Sequence, residues 1–229
     1  MVRARRSLAA AAVLGVLAPA ALAGCNSDDT GIGAGNGQGT APAAAKPASK
    51  QVAAARKDLS GLKIASEGSG SGYSRKQYGV TWKDTDHNGC DQRNDILARD
   101  LTDISKKGKC IVMSGKLNDP YSGKQIDFTK SKAMQVQIDH IYPLALTWRM
   151  GASGWSADKR EKLANDHDEL IAVWGTPNQQ KSDKGPSEWK PQKSFQCTYG
   201  VRFIEIAKKY GLPVTRADHD ALQDFLARC

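Results

Sequence analysis

Apolar and polar residues alternate around Val136 and Ile138, and the alternation runs into Asp139-His140-Ile141-Tyr142-Pro143. Alternation of this kind predicts a strand. Farther on, Glu169-Leu170-Ile171-Ala172-Val173-Trp174 is almost wholly apolar and predicts a second strand. Thr176 and Pro177 then read as the cap and first residue of a helix that carries Asn178 and Lys181. The order is strand, loop, strand, helix.

The flanking pattern predicts mostly helices. Ser194 to Tyr210 carries Phe195, Tyr199, Phe203, Ile206 and Tyr210 at helical spacing and stops at Gly211-Leu212-Pro213. Thr215 caps a second helix to Arg228, with Leu222, Phe225 and Leu226 on one face. Asp91 to Leu101 and a segment opened by Ser156 read as two more. Lys109–Ser114 and Lys124–Phe128 form a small antiparallel hairpin around the turn signal Asn118-Asp119-Pro120-Tyr121-Ser122-Gly123. The class is α+β.

Residues 1–24 read as a signal peptide: Arg3, Arg5 and Arg6 precede an uncharged apolar stretch from Leu8 to Ala23, too short for a comfortable membrane span. The stretch ends Leu22-Ala23-Gly24-Cys25, similar to a bacterial lipobox in which the cysteine, here Cys25, carries lipid. Residues 25–71 divide into a Gly/Ala/Pro/Ser/Thr spacer, a short amphipathic helix over Gln51–Ala65 through Val52, Leu59 and Leu62, and a flexible joint over Ser66–Gly72. Residues 72–229 form one domain, with a core at about 134–190 and a helical hairpin at 194–229. The outer face of the cytoplasmic membrane, or the medium, is the expected location.

The formal charge is +9, and loss of residues 1–24 removes three arginines and no acid, leaving +6. A moderately basic exported protein suits a polyanion. Cys25 is the odd member of five cysteines. Export favours disulfides among Cys90, Cys110, Cys197 and Cys229. If the last two helices are antiparallel, the start of one lies beside the end of the other. Cys197 then meets Cys229, and Cys90 is left to Cys110.

Asn178 falls in the first turn of its helix, where free backbone N–H groups and the helix dipole favour a phosphate. The hydrolysis of a phosphodiester requires an activated water, neutralisation of phosphate charge and a cation near the leaving group. Histidine suits the first task because its ordinary pKa is about 6.5. A carboxylate and an amide oxygen suit a hard ion such as Mg2+ or Mn2+. Lys181, three residues after Asn178 on the same helix face, is expected to contact phosphate or offset transition-state charge. Arg93 either faces the site or pairs with an acid. Arg149 and Arg160 are equally candidates for a DNA backbone and for a solvated surface. Asp84, Asp86, Asn88 and Asp95 fit D-x-D-x-N-G-x5-D, read either as a Ca2+ loop with Asp at the last position or as Asx turns capping the helix from Asp91.

The motif Asp-His-Ile-x-Pro followed by Asn-x-x-Lys resembles the HNH, or ββα-metal, nucleases (the His-Me finger class), including that domain of CRISPR effector nucleases. From about Gly72 onward the chain more closely resembles secreted HNH endonuclease-like proteins of actinobacteria, related to the nuclease domain of some modification-dependent restriction enzymes. Gly72-Tyr73-Ser74-Arg75, the Asn88–Asp95 stretch and Asp119-Pro120-Tyr121-Ser122-Gly123 carry that longer likeness.

The resemblance implies a ββα-metal core with flanking helices, His140 as general base, and Asp139 and Asn178 as metal ligands, acting on DNA, with RNA as an alternative substrate that the sequence does not decide. Where the family usually has Asn, this chain has Glu169, which either braces the loop or adds a carboxylate near the metal. The second functional class is a non-catalytic surface lipoprotein that keeps this frame and binds nucleic acid or another polyanion. Beyond nucleic acid, and the membrane through the lipid, the sequence names no partner.

Overall fold

A computed structural model describes residues 44–229 of the chain. The signal peptide and Cys25 lie outside the described residues. The class is α+β, with small antiparallel sheets and two disulfides.

Two strands organise the rest. β4 (Val136–His140) pairs antiparallel with β5 (Leu170–Trp174), His140 opposite Leu170 and Asp139 opposite Ile171. Successive side chains of a strand point to opposite faces. Val136, Ile138, Leu170 and Ala172 therefore enter one apolar core with α2 (Gln92–Asp100), while Ile171 and Val173 enter a second with the C-terminal helices. β5 is buried on both faces, which is why its sequence is a continuous apolar run rather than an alternation.

The first core is closed by a sheet of three strands, β1 (Thr102–Lys107), β2 (Ile111–Asn118) and β3 (Gln125–Thr129), in that order. β2 and β3 are the hairpin expected from the turn signal. β1 is an addition: all six of its residues are exposed, so no burial pattern marks it, and two register shifts interrupt its pairing with β2. Gly115 permits the close approach, since a Cβ there would meet Leu101, Ile104 and the Thr102 carbonyl at 3.0–3.1 Å. Asp91 caps α2 by accepting from the Asn94 N–H. The Cys90–Cys110 bond and the Asn94 side chain, which accepts from Val112 N–H, bind α2 to β2.

The second core contains α6 (Lys193–Tyr210) and α7 (Arg216–Leu226). Gly211, left-handed at φ 68°, ends α6, and Leu212 N–H donates back to the Ala207 carbonyl. Thr215 caps α7, and Cys197 is joined to Cys229 as the antiparallel hairpin requires. Such a bond contributes about 2–4 kcal/mol by restricting the unfolded chain.

α1 (Ser49–Gly61) buries Ala55 and Leu59 in this same core. Arg56 donates to the Leu226 carbonyl, and Gly68 N–H donates to the Arg149 carbonyl. The expected flexible joint at Ser66–Gly72 is thus held against the body, and the folded unit begins well before Gly72.

Candidate active site

Between β4 and β5 the chain makes α3 (Leu144–Arg149) and α4 (Ala157–Ala164). α5 (Gly175–Lys181) follows β5 directly. It opens two residues earlier than expected: Trp174 is the cap, Gly175 the first residue, Thr176 lies inside the helix, and no side chain caps it. A Cβ on Gly175 would stand 2.8 Å from the Met134 carbonyl, so glycine is needed for α5 to start this close to β4. Pro177 is tolerated because first-turn N–H groups have no helical acceptor.

A cleft of about 990 Å3 follows β4, and Gln137, Ile138, Asp139 and His140 all line it, with Asn178 from α5. The three residues singled out as base and ligands thus share one cavity. Asp139 is mostly buried, and its Oδ2 accepts from Tyr121 Oη at 2.5 Å and from Lys181 Nζ at 2.7 Å. Its Oδ1 makes no hydrogen bond among the described residues and is the oxygen left for a ligand. The Asn178 amide donates its N–H to Gln137 Oε1 at 2.9 Å, which fixes the amide and leaves Oδ1 as an acceptor. Two oxygen donors on one cleft are a fitting set for a hard divalent cation.

His140 Nε2 lies 2.9 Å from the Ala164 carbonyl. That carbonyl ends α4 and has no helical donor, and since a carbonyl only accepts, Nε2 carries the proton. Nδ1 is then an unprotonated acceptor with no hydrogen-bond partner among the described residues. Burial is the main cause that lowers the imidazole pKa from 6.5 to about 4. The Arg75 charge adds to the lowering, and the Ala164 bond opposes it. The ring is neutral at pH 7.

Lys181, expected at a phosphate, lies beneath Asp139 instead of on the cleft. Its side chain is fully buried, and Nζ donates to Asp139 Oδ2 and, at 2.8 Å, to the His140 carbonyl. It braces Asp139 from behind and is not part of the cleft wall. Tyr121 was not foreseen as its companion. It comes from the Asp119–Gly123 turn, whose Asp119 also accepts the Trp174 N–H and so docks the hairpin on β5. Burial and the Asp139 charge raise the Tyr121 pKa well above 10, keeping the phenol a donor.

Glu169 is wholly buried and is not part of the cleft wall. Both carboxyl oxygens accept from the Tyr142 N–H, at 3.1 and 3.2 Å, and its carbonyl accepts from Ile141 N–H. It is the brace for the turn after His140, one of the two roles expected. Burial raises its pKa well above 4.5.

The arginines divide. Arg93 lines the cleft but spends its guanidinium on the Ala133 and Val136 carbonyls. Arg149 lines it while paired with Glu67 and Asp183. Arg160 is buried and donates to the carbonyls of Gln77, Ala152 and Trp155, so it is structural and not a DNA contact. Arg75 and Trp82, both on the cleft, were missed as site residues. The Gly-Tyr-Ser-Arg stretch was the only signal for the first.

The acidic loop is a separate place. Asp84 accepts from Gly89 N–H, Asp86 from Asn88 N–H, and Asn88 Nδ2 donates to both Asp86 and Asp95. These are the Asx turns of one expected reading, leading into the Asp91 cap. Asp86, Asp95 and His167 also bring ligand atoms within 4.8 Å of one another.

Among protein families, the C-terminal domain of GmrSD restriction endonucleases matches residues 91–225. A protein of Arthroderma benhamiae described as an uncharacterized secreted protein is 37% identical over 194 residues, covering 82% of this chain and 91% of that one. No solved structure matches.

The Glu169 brace makes a testable statement about pH. A carboxyl whose folded pKa lies above its unfolded value stabilises fully below about 4.5, and that contribution is lost as pH rises toward the folded pKa. Glu169→Gln keeps an acceptor for Tyr142 without the ionisation. Thermal melts from pH 5 to 9 should show the wild type losing stability relative to Glu169→Gln as pH rises. Parallel curves, or a variant unstable at every pH, would contradict this.

Proposed function

We propose, for a chain that belongs to the family of the C-terminal domain of GmrSD restriction endonucleases, the function of an exported, metal-dependent endonuclease. The reading rests on one observation above all. His140 is held by its Nε2 against a helix-end carbonyl, with Nδ1 unpaired, on a cleft shared with Asp139 and Asn178. Membership in a nuclease-related family supports it. In this reading β4, β5 and α5 are the ββα-metal core, and the substrate is nucleic acid.

Asp139 Oδ1 and Asn178 Oδ1 would hold Mg2+ or Mn2+. When bound, such an ion offsets phosphate charge and polarises the scissile ester. His140 Nδ1 takes a proton from water as the water oxygen bonds to phosphorus. The P–O bond to the departing sugar oxygen breaks, that oxygen is protonated from solvent, and the imidazolium later returns its proton to water. Lys181 and Tyr121 keep Asp139 pointed into the cleft, and Glu169 holds the turn that carries His140.

Export is supported by residues 1–24 and by a relative described as secreted. The Leu-Ala-Gly-Cys site supports a lipid on Cys25, which ties the enzyme to the membrane surface. Wild type should then partition into detergent, and Cys25→Ala should be found in the culture medium. Wild type that is wholly soluble from the start would end the tether proposal.

The function itself is tested by plasmid nicking. Purified soluble domain should nick supercoiled DNA with Mg2+ or Mn2+ and stop in EDTA. A general base supplies about 10²–10⁴-fold, so His140→Ala should lose that much rate while still binding metal. Asp139→Ala and Asn178→Ala should recover partly in excess Mn2+. DNA binding without cleavage by wild type would favour the non-catalytic surface module instead.

A further inference from the structure

With Lys181 buried under Asp139, the cleft needs another cation at the scissile phosphate. A phosphodiester gains negative charge on its non-bridging oxygens as water attacks, and donors placed there supply much of the catalysis. Arg93 is engaged with two backbone carbonyls, Arg149 with two carboxylates, and Arg160 is buried with three carbonyls. Among the described residues, one arginine on this cavity remains free.

That residue is Arg75. It opens a short 3-10 turn, Arg75–Tyr78, and is exposed. It makes no hydrogen bond or ion pair among the described residues, yet it lines the cleft with Asp139, His140 and Asn178. It also lines a smaller adjoining cavity with His140 and Ala164. Its backbone is fixed while its head group is not. Tyr78, in the same turn, is buried and bonded through Oη to the Leu144 carbonyl and Thr147, and the Gln77 carbonyl accepts from Arg160. An anchored stem with an unspent guanidinium is the arrangement that binds phosphate in two-pronged fashion without first breaking a bond.

We infer that Arg75 is the catalytic cation of this site, donating to the non-bridging oxygens of the scissile phosphate. The inference rests on the nuclease reading above and adds to it a residue from outside β4, β5 and α5. It also gives a chemical reason for the turn that carries Arg75 to be braced so firmly against α3 and α4.

The test uses two substrates: plasmid DNA, and bis(p-nitrophenyl) phosphate, which has one diester and no flanking backbone. Removing a single transition-state donor costs about 10²–10³ in kcat. Arg75→Ala should lose kcat by that order on both substrates, Arg75→Lys should retain an intermediate rate, and Mn2+ affinity should be unchanged. Lys76→Ala, an exposed neighbour that is not part of the cleft wall, is the control and should cleave the small diester normally. Full kcat in Arg75→Ala overturns the assignment. So does a raised KM for DNA alone with normal turnover of the small diester, since that marks a distant backbone contact. If wild type cleaves neither substrate, the nuclease reading fails first and Arg75's role with it.

Discussion

A lysine with no solvent exposure, Lys181, faces the one carboxylate oxygen that the cleft does not use. A buried charge is costly unless paired and hydrogen-bonded. Here Asp139 Oδ2 and the His140 carbonyl supply the partners, and Tyr121 adds a neutral donor to the same oxygen. The three bonds join α5, β4 and the β2–β3 turn at a single atom group. Removing one member of such a pair costs about 3–5 kcal/mol, because the other charge stays buried without compensation. Stability and site geometry are therefore the same interaction.

The two cores explain why that geometry is rigid. β5 sends alternate side chains into each, so the strand opposite Asp139 and His140 is gripped on both faces. The turn after His140 is fixed by Glu169, and the imidazole by the end of α4. Asp139, His140 and Asn178 are thus each held by an element other than their own. Asp139 Oδ1, Asn178 Oδ1 and His140 Nδ1 on the cleft make no hydrogen bond among the described residues. Groups so placed need little rearrangement when a substrate arrives.

Much of this was legible in the sequence where one physical pattern dominates. The periodicities around Val136, Leu170, Phe195 and Leu222 marked β4, β5, α6 and α7, and the α6–α7 pair in turn required Cys197 to meet Cys229. β1 was not legible, because Thr102–Lys107 buries nothing and exists only through its pairing with β2. Lys181 sits in a polar stretch on the face of Asn178 and reads as a phosphate contact; what buries it is a tertiary contact with a strand 42 residues away. Tyr121 and Glu169 act across similar distances, and no local signal tells a brace from a ligand. The two-residue shift of the α5 start is permitted by Gly175, where a Cβ would stand 2.8 Å from the Met134 carbonyl.

Positioning of Asp139 by Lys181 is most directly tested through metal affinity. Mn2+ binding can be followed by electron paramagnetic resonance in wild type and in Lys181→Met, with circular dichroism to verify that the variant is folded. Residues that orient a metal ligand are typically worth about 10–100-fold in affinity. A folded Lys181→Met that binds Mn2+ more weakly by that factor is the result predicted. Unchanged Mn2+ affinity with lost cleavage would contradict it and return Lys181 to the phosphate.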